Sequence, residues 1–362
     1  MYGIEHVVFE RNTEKIFLSG QIITEAPDGG LLLQTHDGFL WVIQHHELLE
    51  RTNDTQPFAA IPAKKLSAQL QEEFPPPFRT HKTSHYLVCH NTSKAYAHWC
   101  GALFERLYRA FHNYWGRRGL TLHKPDFPLV AVVFRDEASF RKYSQKELGP
   151  AANSIIGYYS LTTNRVTMYD LTGMESLRAR SRRSATVGEI NLALAAPKME
   201  RTVATIIHEA THQIAFNCGM HRRFADIPLW LSEGIAMYFE TPDLESSRGW
   251  RNIGSVNQVR LAEFQKDLTQ RDDDSLRTLL ENDQRFRTTN EMARAYPESW
   301  ALVYFLIRQR PQQFVEYLKL MSQKKPLASD SPKTRIAEFR KVFDQDLSQF
   351  DTVFLRQLMR VR

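Results

Sequence analysis

Cysteine is scarce in this chain. Three residues in 362, Cys89, Cys100 and Cys218, stand far apart with no Cys-x-x-Cys spacing. That excludes a disulfide framework and predicts small buried apolar side chains, with one bridged pair open only to an exported protein. Apolar runs are short as well. None approaches the roughly 18 residues of a membrane span. The opening MYGIEHVVFERNTEK lacks both the basic and the apolar region of a signal peptide. Two compartments stay open: exported (periplasmic or cell surface) if a signal peptide has been removed, cytoplasmic otherwise. A concentrated basic stripe is missing too. The net charge of +6 and pI near 9.1 are spread along the chain, which argues against dedicated nucleic-acid binding. Internal repeats are absent. The composition, 42% hydrophobic and 24% charged, is that of an ordinary globular chain.

What is present falls into four stretches. Residues 1–58 read as a small β-rich module: HVVFE, KIFLSGQIIT, GLLLQT and FLWVIQ are short and rich in β-branched and aromatic residues, with turn signals at Asp28-Gly29-Gly30 and Asp37-Gly38. They predict a compact barrel or curled sheet. His45 and His46 are neighbours on the chain, and on a strand would point to opposite faces, which does not suit one shared ion. Residues 59–77, with prolines at both ends, read as a linker. Residues 78–218 read as an α/β lobe. THKTSHYLVCHN and LVAVVFRD predict strands. SKAYAHWCGALFERLYRAFHNYW predicts an amphipathic helix with Leu103, Leu107, Ala110, Phe111 and Tyr114 on one face. IIGYYS and NRVTMYD predict antiparallel strands turning at Thr162-Thr163-Asn164. Arg178, Arg180, Arg182 and Arg183 lie in a polar stretch that reads as a solvated loop, with a substrate-facing lid as the sharper alternative. Residues 219–362 read as a mainly helical lobe, with apolar residues at helical spacing in VNQVRLAEFQKDL, SLRTLLEND, the 296–309 run, PQQFVEYLKLMSQ and TRIAEFRKVF. The fold class is therefore α+β, a mixed sheet with helices followed by a helical lobe, preceded by the β module.

The chemistry gathers in 201–240, RTVATIIHEATHQIAFNCGMHRRFADIPLWLSEGIAMYFE. A helix starting near Pro197 would put Val203, Ile207, Ala210 and Ile214 on a core face. His208 and His212, four apart, would share one side of it, so that both imidazoles reach one Zn2+ ion. Glu209 lies one position round and is placed to take a proton from water and deliver it to a leaving amine. Asp226 as N-cap and Pro228 in the first turn predict a second helix through PLWLSEGIAMYF. In that apolar run Glu233 needs a partner, and a metal would satisfy it. Gly234 and Ala236 would let this helix pack closely on the first. His208, His212 and Glu233 leave one position open, as a catalytic zinc site requires.

HEATHQ followed by PLWLSEGIAMYFE resembles the gluzincins, the thermolysin-like (peptidase MA-like) zinc peptidases. The resemblance implies a two-lobed catalytic domain with His208, His212 and Glu233 as ligands and Glu209 as general base. It also implies an edge strand, at NRVTMYD, that holds an extended peptide by strand addition. More narrowly, HKTSHYLV, GYYSLTTNRVTMYD, the central stretch and YPESWALVYFL resemble an uncharacterised, planctomycete-rich bacterial family with a peptidase-like site. The chain departs from the gluzincin pattern twice. No histidine follows His221, so the oxyanion donor must be another group; Tyr296, opening YPESW ahead of an apolar helix, is the candidate, and His221 and Arg222 are weaker ones. Met237 stands where the clan places an acidic residue behind a ligand histidine, which leaves Glu240 and Asp243 as candidates for that role. The expected activity is zinc-dependent hydrolysis of a peptide or protein substrate. The alternative is a catalytically weak zinc-containing scaffold that binds a protein or cell-envelope polymer.

Overall fold

The computed structural model describes residues 3–172, 186–196, 199–241, 253–343 and 346–362. The arginine cluster at 178–183, Pro197 and Asp243 lie outside them. The protein is α+β: a β-rich region with two sheets precedes a helical region. It divides into two units, residues 1–105, 124–202 and 325–328 in the first and 106–123, 203–324 and 329–362 in the second. The division at 202/203 differs from the expected 218/219, so His208, His212 and Glu233 all belong to the second unit.

In the first unit one sheet runs in the order β4-β3-β2-β1-β5. β1 (Gly3–Arg11) and β2 (Glu14–Glu25) pair antiparallel through a two-residue turn at Asn12 and Thr13, both at positive φ, the conformation that fits strand twist in a tight hairpin. β3 (Leu31–Thr35) and β4 (Leu40–Ile43) follow, turning at Gly38, whose φ of +87° favours glycine. The fifth strand, β5 (Leu48–Pro57), pairs with β1, so the sheet is open and its two edges, β4 and β5, do not close a barrel. β5 is polar along most of its length, unlike the apolar runs that mark the other strands. An edge strand needs no apolar alternation. Its backbone pairs with β1, and Arg51 on it reaches Glu5 at 3.0 Å. Val7, Phe9, Leu31, Leu33 and Ile43 form this sheet's core.

The second sheet has the order β6-β7-β8-β10-β9. THKTSHYLVCHN breaks into β6 (Arg79–Lys82) and β7 (Tyr86–His90), antiparallel. β8 (Leu129–Phe134) runs parallel to β7, and β10 (Arg165–Tyr169) parallel to β8. β9 (Gly157–Tyr159) is antiparallel to β10. The strand expected at the edge, NRVTMYD, is thus interior, because β9 pairs with its outer side; the edges are β6 and β9. The segment expected as a linker also has a structural role. Its helix α1 (Ala63–Glu73) inserts Leu66 and Leu70, together with Phe74, into the core formed by Val130, Val132 and Phe134. A helix of this length with two side chains at 2% exposure or less is held by the apolar area it removes from water. α2 (Lys94–Gly116) is long and amphipathic as expected, and its residues 94–105 belong to the first unit. α3 (Glu137–Leu148), capped by Asp136 on the Ser139 N–H, and α4 (Val187–Leu194) complete it.

The second unit contains the rest of α2 and most of α5 (Glu200–Asn217). It continues with α6 (Leu229–Phe239), α7 (Gln258–Asp267), α8 (Ser275–Glu281), α9 (Thr289–Gln309), α10 (Pro311–Ser322), α11 (Pro332–Phe343) and α12 (Leu347–Leu358). α9 starts seven residues before Tyr296, and Pro297 lies inside it. YPESW is therefore helix interior and not a segment ahead of an apolar helix. The three cysteines are free and buried.

Candidate metal centre

α5 and α6 carry the three residues expected as ligands, His208, His212 and Glu233, and bring them together. His208 and His212 lie one turn apart on α5, as their four-residue spacing demands, and Glu233 projects from α6. His208 Nε2 stands 3.1 Å from His212 Nε2 and 3.0 Å from Glu233 Oε2; His212 Nε2 stands 3.4 Å from Glu233 Oε1. Atoms bonded at ~2.0–2.1 Å to one tetrahedral zinc are about 3.3 Å from each other, so this triangle has the right size. The chemistry of the set fits also. Two imidazole nitrogens and a carboxylate, all largely buried, point at one spot where they can offer lone pairs to a cation. Among the described residues this is the one group of three His, Cys, Asp or Glu side chains whose ligand atoms converge.

The helix that carries Glu233 is held from three sides. Trp230, fully buried, stacks on Tyr317 and meets Phe339 edge-on. The Leu229 N–H donates to Asp283 Oδ1 at 3.0 Å, and Arg335 binds both Asp283 and Asp226. Asp226 is therefore not the N-cap; its carboxylate is taken by Arg335 and by the Asp330 N–H, and Pro228 occupies the cap position. Gly234 makes a close approach, but to α9 and not to α5. A Cβ there would lie 2.6 Å from the Ser299 carbonyl oxygen and 2.4 Å from Val303 Cγ2, so any side chain next to the ligand would push α6 off α9.

Behind His208 stands Glu240, at the C-cap of α6. Its Oε1 accepts from His208 Nδ1 at 2.8 Å, which fixes the tautomer and leaves Nε2 for a metal. Asn257, the N-cap of α7, donates to Glu240 Oε2 at 3.1 Å, and Arg260 Nε lies 3.7 Å from the same oxygen. Of the two carboxylates weighed for this role, the structure brings Glu240 into place. Asn257 and Arg260 escaped the sequence reading. Asn257 is visible as a helix cap, but its side-chain amide can be assigned to Glu240 only in three dimensions.

Charge in the site is tightly balanced. Burial alone presses the His208 pKa down, and the hydrogen bonds that Glu233 and Glu240 accept from it outweigh burial and hold it well above the usual range. Burial pushes the Glu233 carboxyl up, and the two histidines pull it well below its ordinary value. Protons held this way are those a cation must displace, which links metal binding to pH. Tyr296 feels the charges of the same centre. The negative charge of Glu233 is the main cause that raises its hydroxyl pKa, followed by burial and by Glu209, with Arg260 opposing. Its ring also meets Phe286 at 5.4 Å. Glu209 is half-buried, one residue round from His208. Neither weaker candidate joins the triangle. His221 is buried at 2% exposure and pushed down to about 3 by burial and then by His212, while Arg222 is exposed.

Residues 202–328, which include His208, Glu209, His212, Glu233 and Tyr296, match the family described as protein of unknown function (DUF1570). No curated protein matches the chain. The match is thus to an uncharacterised family; it covers the centre, while α11, which holds α6 through Arg335 and Phe339, lies outside it.

Proposed function

We propose that the protein is a zinc-dependent peptidase of gluzincin type. The observation that carries this reading is the triangle of His208 Nε2, His212 Nε2 and Glu233, with edges of 3.0–3.4 Å, beside an acid, Glu209, that is not part of it. When bound, zinc would supply Lewis acidity toward water and toward the scissile carbonyl. The chain's own residues supply the remaining steps. Glu209 takes a proton from the attacking water and delivers it to the leaving amine, a transfer that a positioned carboxylate accelerates by about 10²–10⁴-fold. Tyr296, held protonated by the surrounding carboxylates, donates a hydrogen bond to the oxygen on which charge develops. Glu240 keeps the His208 ring in one orientation throughout.

The test begins with the purified full chain. Elemental analysis should find about one zinc per chain, and a peptide library should be cut in a chelator-sensitive way. Glu209→Gln should keep the zinc and lose cleavage by at least about 100-fold. Cleavage that survives this change would sink the assignment of the base, and a chain that binds zinc without cutting any peptide would leave only a scaffold. Tyr296→Phe should lower kcat by about 10²-fold with zinc retained. Unchanged turnover would return Tyr296 to a packing role.

A further inference from the structure

Glu233 stands one turn past the start of α6, and that start has no cap of its own. Pro228 occupies the cap position and makes no side-chain hydrogen bond to the helix. The orphan N–H of Leu229 goes instead to Asp283, at 3.0 Å, from 54 residues further along the chain. A carboxylate there also suits the partial positive charge of a helix start. Asp283 is gripped in turn by Arg335 on α11. Nη1 donates to Oδ1 at 2.8 Å and Nη2 to Oδ2 at 3.0 Å. The same Nη2 holds Asp226, so one guanidinium, 5% exposed, keeps two like charges side by side. Without it they repel, and nothing on α11 keeps Asp283 at the helix start. Four residues on, on the same face of α11, Phe339 meets Trp230 edge-on at 6.1 Å. α11 thus supports α6 at 229 and 230, and α9 presses on it at Gly234. Glu233 lies between the two supports.

We propose that Arg335 is a positioning residue for the metal centre: by keeping Asp283 on the start of α6, it holds Glu233 where the two histidines meet it. The chain beyond residue 328, outside the matched stretch, then takes part in metal binding. A ligand set works only when held within about 0.5 Å of its geometry, and loss of an outer partner costs about 10–100-fold in metal affinity. Arg335 acts at one remove from such a partner, which sets the expected cost near the low end. The inference rests on the zinc reading.

Competition with a chromophoric chelator on the full chain, with thermal midpoints measured beside it, tests it. Arg335→Met should weaken zinc binding by about tenfold. Arg271 supplies the control. It is equally buried and holds Glu298 and Asp351 much as Arg335 holds Asp283 and Asp226, but α6 carries neither partner. Arg271→Met should lower the thermal midpoint and leave zinc affinity unchanged. Asp283→Asn is the gentler change and decides the matter if Arg335→Met does not fold. It keeps the shape and one acceptor oxygen, loses the charge that Arg335 grips, and should weaken zinc in the same direction by a smaller factor. Wild-type zinc affinity in the folded Arg335→Met or Asp283→Asn protein would overturn the proposal. So would an equal loss in Arg271→Met, since general loosening would then explain both. A wild-type chain that binds no zinc would overturn the zinc reading itself, a result distinct from variants that match a zinc-binding wild type.

Discussion

His208 and His85, one in each unit, make the same local bond. Each gives Nδ1 to a largely buried glutamate at 2.8 Å, His208 to Glu240 and His85 to Glu105. The surroundings then separate them. At His208 the other ring nitrogen meets a second imidazole and a second carboxylate within 3.1 Å, and the glutamate behind it is served by Asn257 at 3.1 Å, with Arg260 at 3.7 Å. At His85 the glutamate spends its remaining acceptors on a threonine hydroxyl and a backbone N–H, so it staples a turn. A histidine–carboxylate pair is therefore not a site in itself; what faces the far nitrogen decides. His90 and His221 complete the contrast. Both are buried without a carboxylate partner, and burial carries their pKa down, to about 4 and about 3.

The largest effect should come from removing the group that His208 has and His85 lacks. Glu233→Ala should weaken zinc binding by more than the 10- to 100-fold that loss of an outer partner costs, measured by competition with a chromophoric chelator. Retention at wild-type affinity would remove Glu233 from the ligand set. Next in size is the acid sensitivity of His90. Its folded pKa, about 4, lies below its ordinary value of 6.5, so the unfolded chain binds the proton more readily. The neutral ring's contribution is complete above pH 6.5 and is lost as pH falls toward 4. At pH 5 that loss amounts to about 2 kcal/mol. His90→Asn, which can still donate to the Thr92 carbonyl oxygen that His90 Nδ1 contacts at 3.2 Å, should reduce by about that amount the drop in stability between pH 7 and pH 5 in denaturant titrations. An unchanged pH dependence would show that His90 is not the group responsible.

What could be read from the chain was local, and what could not was tertiary. The four-residue spacing of His208 and His212 is a property of one helix, and an isolated Glu233 in an apolar run demands a partner wherever the run lies. The helices at 258–267, 311–322 and 332–343 follow from apolar periodicity in the same way. Polar β5 carries no such pattern, because its pairing comes from the exposed side of β1. The hairpin of β9 and β10 is legible from its turn, but that β10 also pairs with β8 on its other side is not. The segment 63–73 looked like a linker because two leucines are a weak signal without the sheet they cover. Gly234 reads as a close-packing position, but sequence shows that a helix needs a small residue and not that the neighbour requiring it is α9. Glu240 lies seven residues past Glu233 at a helix end, and only the fold shows that a carboxylate there reaches His208.

The smallest effect returns to the two glutamates and separates their roles most sharply. Glu240→Gln replaces the carboxylate with an amide whose oxygen can still accept the His208 Nδ1 proton, so ring orientation survives while the negative charge that strengthens the ligand is lost. The expected cost lies at the low end of the outer-partner range, about tenfold in zinc affinity, or about 1.4 kcal/mol. Glu105→Gln makes the same chemical change at the same bond length but behind a histidine outside the His208–His212–Glu233 group. Its zinc affinity should equal that of the wild type, while the thermal midpoint falls, because one amide oxygen cannot replace two carboxylate oxygens that serve three donors. Parallel chelator titrations of the two variants decide the matter. If both lose zinc equally, the effect comes from general loosening and Glu240 has no special place behind His208. If only Glu240→Gln does, the charge of that glutamate acts on the metal through the imidazole between them.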